Sequence, residues 1–310
     1  NTAVGKGALN ANTTSSGNTA VGSGALLVSD GDNNTAVGRV AMSSNTTGTS
    51  NSAFGRTALY ANTTGSENTA VGAYALDANT TASANTGIGY GALSTNTTGD
   101  KNTSVGYYSL VNNTTGVRNV AVGYESLADN TTGSYNAALG AWSLEDNTTG
   151  VYNTGIGYYA LGGNTTADSN TAVGYLALRV NTTGGNNTAI GKDALYANTT
   201  GNMNAACGKD CLTAVTTGSE NTGIGVDAGF YITTGDNNSM LGKSSGTVNS
   251  PSGQINTASN QFCLGNNDVT DLYCADTSIS SSDKRDKTDI DDFTHGLNWV
   301  NQLKPVTYRW

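Results

Sequence analysis

Tyr90, Tyr107, Tyr124, Tyr158 and Tyr175 stand 17 residues apart, or twice that between Tyr124 and Tyr158. Tyr108, Trp142 and Tyr159 occupy the next place along at the same spacing. Rings aligned in this way make a stripe on which carbohydrate rings can dock. The same residue types also make a mutually stacked ladder that binds nothing. These five tyrosines are the candidate glycan-facing residues. Other chemistry is sparse. His295 is the only histidine, so neither a Ser-His-Asp triad nor a histidine metal site is expected. Gly87-Ile88-Gly89-Tyr90-Gly91 mimics a nucleotide loop, but similar glycine spacing returns along the chain with no helix after it, which argues against a phosphate site. Cys207 and Cys211 replace Val or Ile and Ala at their places, so both read as small buried apolar residues. Cys263 and Cys274 could pair within or between chains, and the four cysteines lack the spacing of a zinc site. No cofactor and no metal are expected. The N-T-T triplets are formal glycosylation sequons, but their return on almost every unit points to a turn requirement.

The elements that hold these residues are copies of one unit. Asn1, Asn18, Asn34 and their successors to Asn238 begin fifteen copies of N-T-A-V-G-x-x-A-L-x-x-N-T-T-G-x-x, with one copy a residue short. A fixed period of this length makes a stack of rungs rather than a globule, and it argues against an enzyme. The fourth place is always apolar and mostly β-branched, the fifth is always Gly, and the ninth is Leu except at Met42, Gly229 and Gly246. Two strands per rung are expected, T-A-V and x-A-L-x, with turns between them. The invariant Gly requires a positive φ or a close backbone approach. Rungs about 4.8 Å apart would stack into a rod of roughly 70 Å. Asn at the first and twelfth places should form amide ladders along it, and Thr of the corner should bond side chain to backbone. The β-branched residue and the Leu are expected to form a thin interior. Ala at the third and eighth places is expected to face outward and pack against sister chains, three-fold association being the reading adopted.

Composition agrees with a thin repetitive core. Hydrophobic residues are 36% of the 310 and charged residues 12%, both low for a globular domain, and Gly numbers 41. The net charge of −9 is spread along the chain without a basic run, so nucleic acid is not an expected partner. No apolar stretch approaches the length of a membrane span, and no insertion is expected. The chain starts in phase with the repeat and without Met, and it is expected to be a fragment of a longer protein.

The phrase N-T-A-V-G-x-x-A-L resembles the rungs of parallel β-rolls in the heads of trimeric autotransporter adhesins, and more closely the repeat arrays of phage tail fibres. The resemblance covers residues 1 to about 246 and implies a homotrimeric, surface-exposed, adhesive rod. After Gly246 the period fails. Residues 247–258 read as a linker, residues 260–281 as a strand-like neck, and residues 291–303 as a helix with Phe293, Leu297 and Val300 on one face. S-D-K-R-D-K-T-D-I followed by L-K-P-V-T-Y-R-W resembles the start of the C-terminal intramolecular chaperone of endosialidases, tail spikes and tail fibres. In that family the module trimerises, guides folding of the stalk and often cuts itself off before a Ser paired with a Lys five residues later. The resemblance places these roles on Ser282 and Lys287, with the cut between Ser281 and Ser282; Asp283 and Arg285 match as well. A Lys base can activate a Ser hydroxyl for such an attack.

The sequence therefore predicts an all-β protein. A parallel β-roll or β-solenoid of about fifteen 17-residue rungs over 1–246 would be followed by a linker and β-neck over 247–281 and a truncated, α-containing chaperone start over 282–310. The expected function is a trimeric phage tail fibre that attaches to a host surface receptor such as a polysaccharide, with other tail proteins as partners and the virion as its location. A bacterial trimeric surface adhesin and an ice-binding solenoid are the alternatives. Self-cleavage before Ser282 is the one reaction expected.

Overall fold

The computed structural model describes residues 1–271. They form sixteen strands of three residues each, from β1 (Thr2–Val4) to β16 (Phe262–Leu264), joined in chain order into one wholly parallel sheet. No helix occurs among the described residues. Register is fixed by the repeat: Thr2 lies beside Thr19, Ala3 beside Ala20 and Val4 beside Val21, and the pattern continues to Leu241 beside Leu264. The fold is the parallel β-solenoid that the repeat implies.

The expected second strand, x-A-L-x, is not a strand. In each of the fifteen repeats the residues at the seventh and ninth places have left-handed backbone, as in Tyr108 (φ 49°) and Leu110 (φ 51°), or Glu125 (φ 49°) and Leu127 (φ 54°). The two left-handed residues of each bend bond to opposite neighbours along the rod. Glu125 N donates to Tyr107 O of the preceding rung at 3.0 Å, and Leu127 N donates to Ser143 O of the next at 2.9 Å. The ladder therefore continues through the bend without extended backbone. A non-glycine residue in this region costs about 1–2 kcal/mol. Burial of the Leu side chain, worth roughly 1.5–3 kcal/mol, offsets it.

The interior is also arranged differently from the expectation. Ala at the third and eighth places and Leu at the ninth are fully buried, as in Ala20, Ala25 and Leu26. The fourth-place residues point outward, with Ile88 38%, Leu139 50% and Ile224 52% exposed. Side chains alternate along a strand, so only the middle residue of T-A-V faces in. The rung is too thin to hold a large residue there. A methyl on Gly87 would already lie 3.2 Å from Leu76 Cγ, because the Leu fills the space beneath the strand. The exception supports the rule. Where Gly229 and Gly246 replace Leu, the third place carries Met240, and its side chain takes the vacated room. Cys211 is buried as expected, but Cys207 shares the exposed outer column, correcting its assignment as buried.

Both Asn columns are interior ladders. Asn68 N donates to Asn51 Oδ1 at 2.9 Å, and Asn68 Nδ2 donates to Ala82 O at 2.9 Å. In the twelfth-place column Asn113 Nδ2 donates to Asn96 Oδ1 at 2.8 Å and to Gly116 O at 3.0 Å. The column then becomes apolar through Val215, Ile232 and Ile255, all buried. Corner threonines bond to backbone, but across rungs rather than within the turn, as with Thr114 Oγ1 donating to Thr131 O at 3.0 Å. The fifth-place Gly meets both sequence-based requirements: Gly106 has φ 139°, and a methyl there would collide with Gly123 O.

The sheet runs further than the repeat. β16 lies in the stretch read as a neck, yet it pairs in register with β15 (Ser239–Leu241) as one more rung. Gln261 takes the place of the leading Asn, its N–H donating to Asn238 Oδ1 at 2.9 Å across 23 residues. The six residues beyond the 17-residue period are taken up in turns, where Ile255 N returns to Gly246 O at 3.0 Å. Residues 1–269 form one compact unit.

Candidate functional site

The chain leaves each strand at the fifth-place Gly, whose positive φ turns the backbone and sets the sixth and seventh side chains on one outer edge. Identical rungs then repeat that placement, so the five candidate tyrosines fall in one column. Tyr90, Tyr107 and Tyr124 form a continuous stack with ring centroids 5.6 and 5.4 Å apart and planes within 15°. Tyr158 and Tyr175 form a second stack at 5.4 Å. Between the stacks the sixth place is Ala141, and Trp142 from the seventh place fills the gap. Its ring lies 5.3 Å from Tyr124 and 5.4 Å from Tyr158, steeply inclined to both, and stacks on Tyr159 at 5.1 Å. Tyr108 packs edge-on against Tyr90 and Tyr107.

This geometry changes what the column offers a ligand. Tyr107 has a neighbouring ring on each face, so its open surface is ring edge and phenol hydroxyl rather than a free face. The five rings are 41–49% exposed. Beside them runs a groove of about 270 Å³ lined by Tyr108, Val111, Glu125, Ala128, Asp129 and Glu145. Trp142 Nε1 donates to Glu125 Oε2 at 2.8 Å, which ties the aromatic gap to the groove wall. Burial holds the Glu145 carboxyl above its ordinary range, Asp146, Glu125 and Asp129 add to the rise, and Arg179 opposes it. Burial likewise raises Asp146. The Glu125 carboxylate raises the Tyr124 phenol through a hydrogen bond. Arg179 lies over the Tyr159 ring at 4.3 Å. The arrangement combines aromatic edges, hydroxyls and carboxylates, a set suited to holding hydroxyl-bearing ligands. The groove acids and Arg179 were missed from sequence; the signal was the run of acids at the seventh, tenth and eleventh places of neighbouring rungs.

Two cysteines of the last rungs have structural surroundings. Burial pushes the Cys211 thiol up to about 12. Cys263 is buried in β16, where Gly246 N lies 3.3 Å from its Sγ. Among the described residues, no group of His, Cys, Asp and Glu is placed to hold a metal ion, and no helix is long and apolar enough to cross a membrane. Ser281, Ser282, Lys287, His295, Cys274 and the expected helix lie outside the described residues.

No curated protein and no solved structure matches the chain. Its C-terminal residues 282–310, which carry the Ser282 and Lys287 positions, match the family model described as chaperone of endosialidase.

Proposed function

We propose that the chain is the shaft of a homotrimeric phage tail fibre that attaches the virion to the host surface, assembled with a C-terminal chaperone that releases itself. One observation carries this reading: a parallel solenoid, able to grow only along its axis, precedes residues that match the chaperone of endosialidase family. A β-solenoid of near-identical rungs offers many equivalent registers in which to mispair, so a dedicated folding module at its end answers a physical need. Attachment is assigned to the edge formed by Tyr90, Tyr107, Tyr124, Tyr158 and Tyr175 and the adjoining acidic groove, with a surface polysaccharide as the ligand class. Other tail proteins would hold the opposite end.

Expression of the full-length gene tests the cleavage. The reading expects a released C-terminal fragment beginning at Ser282, and loss of that release in Ser282→Ala and Lys287→Ala. Antibody against the rod should decorate phage tails. Decoration of bacterial envelopes with no phage present would instead select a surface adhesin.

A further inference from the structure

We propose that the outer face of the sheet, along the column from Val4 through Val105 and Cys207 to Leu264, is the seam by which copies of this chain associate, side by side and at the same height. The proposal rests on the self-association put forward above, and it identifies the surface that performs it. The Ala face, read from sequence as the contact, is inside the rung.

Three observations converge on this face. The column is continuous over sixteen rungs and apolar throughout, and it is open: Phe54 is 42% exposed, Ile190 43% and Leu264 42%. The face is also free of charge. The chain has 14 basic and 23 acidic residues, yet none stands at either outward strand position, neither the Val4 column nor the Thr2 column beside it. Solvated surfaces carry interspersed charge, and a chain of net charge −9 would repel its own copy across any surface that carried its acids. Finally, the size suits a stable interface. Rungs about 4.8 Å apart give a strip roughly 70 Å long and, three residues across, about 10 Å wide. Its area of roughly 700 Å² per copy compares with about 800 Å² per partner in a standard interface.

Symmetry sets the direction. Copies related by rotation about an axis along the rod point the same way, and equivalent residues meet at the same height. Uniform rungs alone would permit slips of one repeat. Phe54 and Cys207, which differ in volume from the surrounding Val and Ile, and Leu139, which differs in branching, make the unslipped register distinct. That register brings the Cys207 thiols of neighbouring copies together.

The test uses the full chain with Cys211 and Cys263 changed to Ala, the residue other rungs place there, and Cys274 changed to Ser. A short bismaleimide, which joins two thiols without redox chemistry, is expected to give covalent dimers through Cys207. A second variant, Cys207→Ile with Tyr107→Cys, is expected to give none. Val105→Lys with Ile156→Lys should leave the far-UV circular dichroism of the rod intact and reduce the sedimenting mass to that of one chain. An assembly that cross-links at Tyr107→Cys and not at Cys207 would overturn the seam while leaving self-association standing. A native chain that sediments as a monomer would overturn both, and thermal hysteresis from such a monomer would assign the uncharged face to ice.

Discussion

Asn198 marks the end of the interior amide column and carries its one defect. Its Oδ1 is the buried side-chain acceptor without a partner among the described residues, because the next rung places Val215 where an Asn amide would donate. The column works as a relay in which each amide donates to the one before it, so the cost of breaking it depends on position. Asn113→Ala removes the bonds to Asn96 Oδ1 and Gly116 O and the one received from Asn130, and it orphans Asn96 Oδ1. At about 1 kcal/mol per lost bond and 1–3 kcal/mol for the new orphan, it should cost about 4–6 kcal/mol. Asn198→Ala removes two donated bonds and moves the existing orphan to Asn181, so about 2 kcal/mol is expected. Urea midpoints of the two variants test the difference; equal losses would refute the relay. Glu145 allows a second test at this scale. Its folded-state pKa is raised, chiefly by burial, so the folded form binds the proton more tightly than the unfolded one. Stability from this group is therefore gained as pH falls through the raised value, and above it the charge is a penalty. Glu145→Gln should raise the melting temperature slightly at pH 7 and leave it unchanged near pH 3. Asp30 acts in the opposite sense: hydrogen bonds from Thr13 lower its pKa, and its contribution fades on acidification.

At the scale of the rung, the repeat made the fold class, the strand T-A-V, its parallel register and both Asn ladders legible. What it concealed was the direction each column faces. β-branched residues mark strand whether they point in or out, and only the depth available beneath the strand decides between Ala36 and Val37. That depth is set by Met42 and the leucines of the opposite bend, through contacts the sequence does not display. The bend itself had a signal. Gly7, Gly24 and Gly91 at the seventh place and Gly229 and Gly246 at the ninth all have positive φ, and they marked left-handed positions where a strand was read. The tyrosine column was legible as an alignment, but its stacking, its repair by Trp142 and its acidic groove depend on rotamers and on neighbours in the next rung. The motifs around Ser282 and Lys287 made the family resemblance of residues 282–310 legible. The two kinds of glycine give a test of the rung. Gly87 sits at a third place where most rungs carry Ala and needs no positive φ, so Gly87→Ala should change stability by less than about 1 kcal/mol. Gly106→Ala puts a methyl into Gly123 O at φ 139° and should cost more than about 4 kcal/mol.

For the whole molecule, the consequence of strand order is that each rung pairs only with the rungs before and after it. Stability in such an array is a sum of rung terms and nearest-neighbour terms, with no contact that ties distant rungs together. A lesion strong enough to open one rung should then divide the rod rather than unfold it throughout. Gly106 lies in the seventh of sixteen rungs, with Asn1 to Asn85 leading the rungs on one side and Asn119 to Gln261 those on the other. Gly106→Ala is expected to abolish amide protection over roughly residues 85–125 in hydrogen exchange and to leave slow exchange near Leu59 and near Leu178. Equilibrium unfolding should separate into two steps, the shorter N-terminal segment melting first because it has fewer interfaces and an end rung, β1, whose residues are all exposed. Uniform loss of protection along the chain would show that rungs far apart are coupled, and a one-dimensional account of this solenoid would then be wrong.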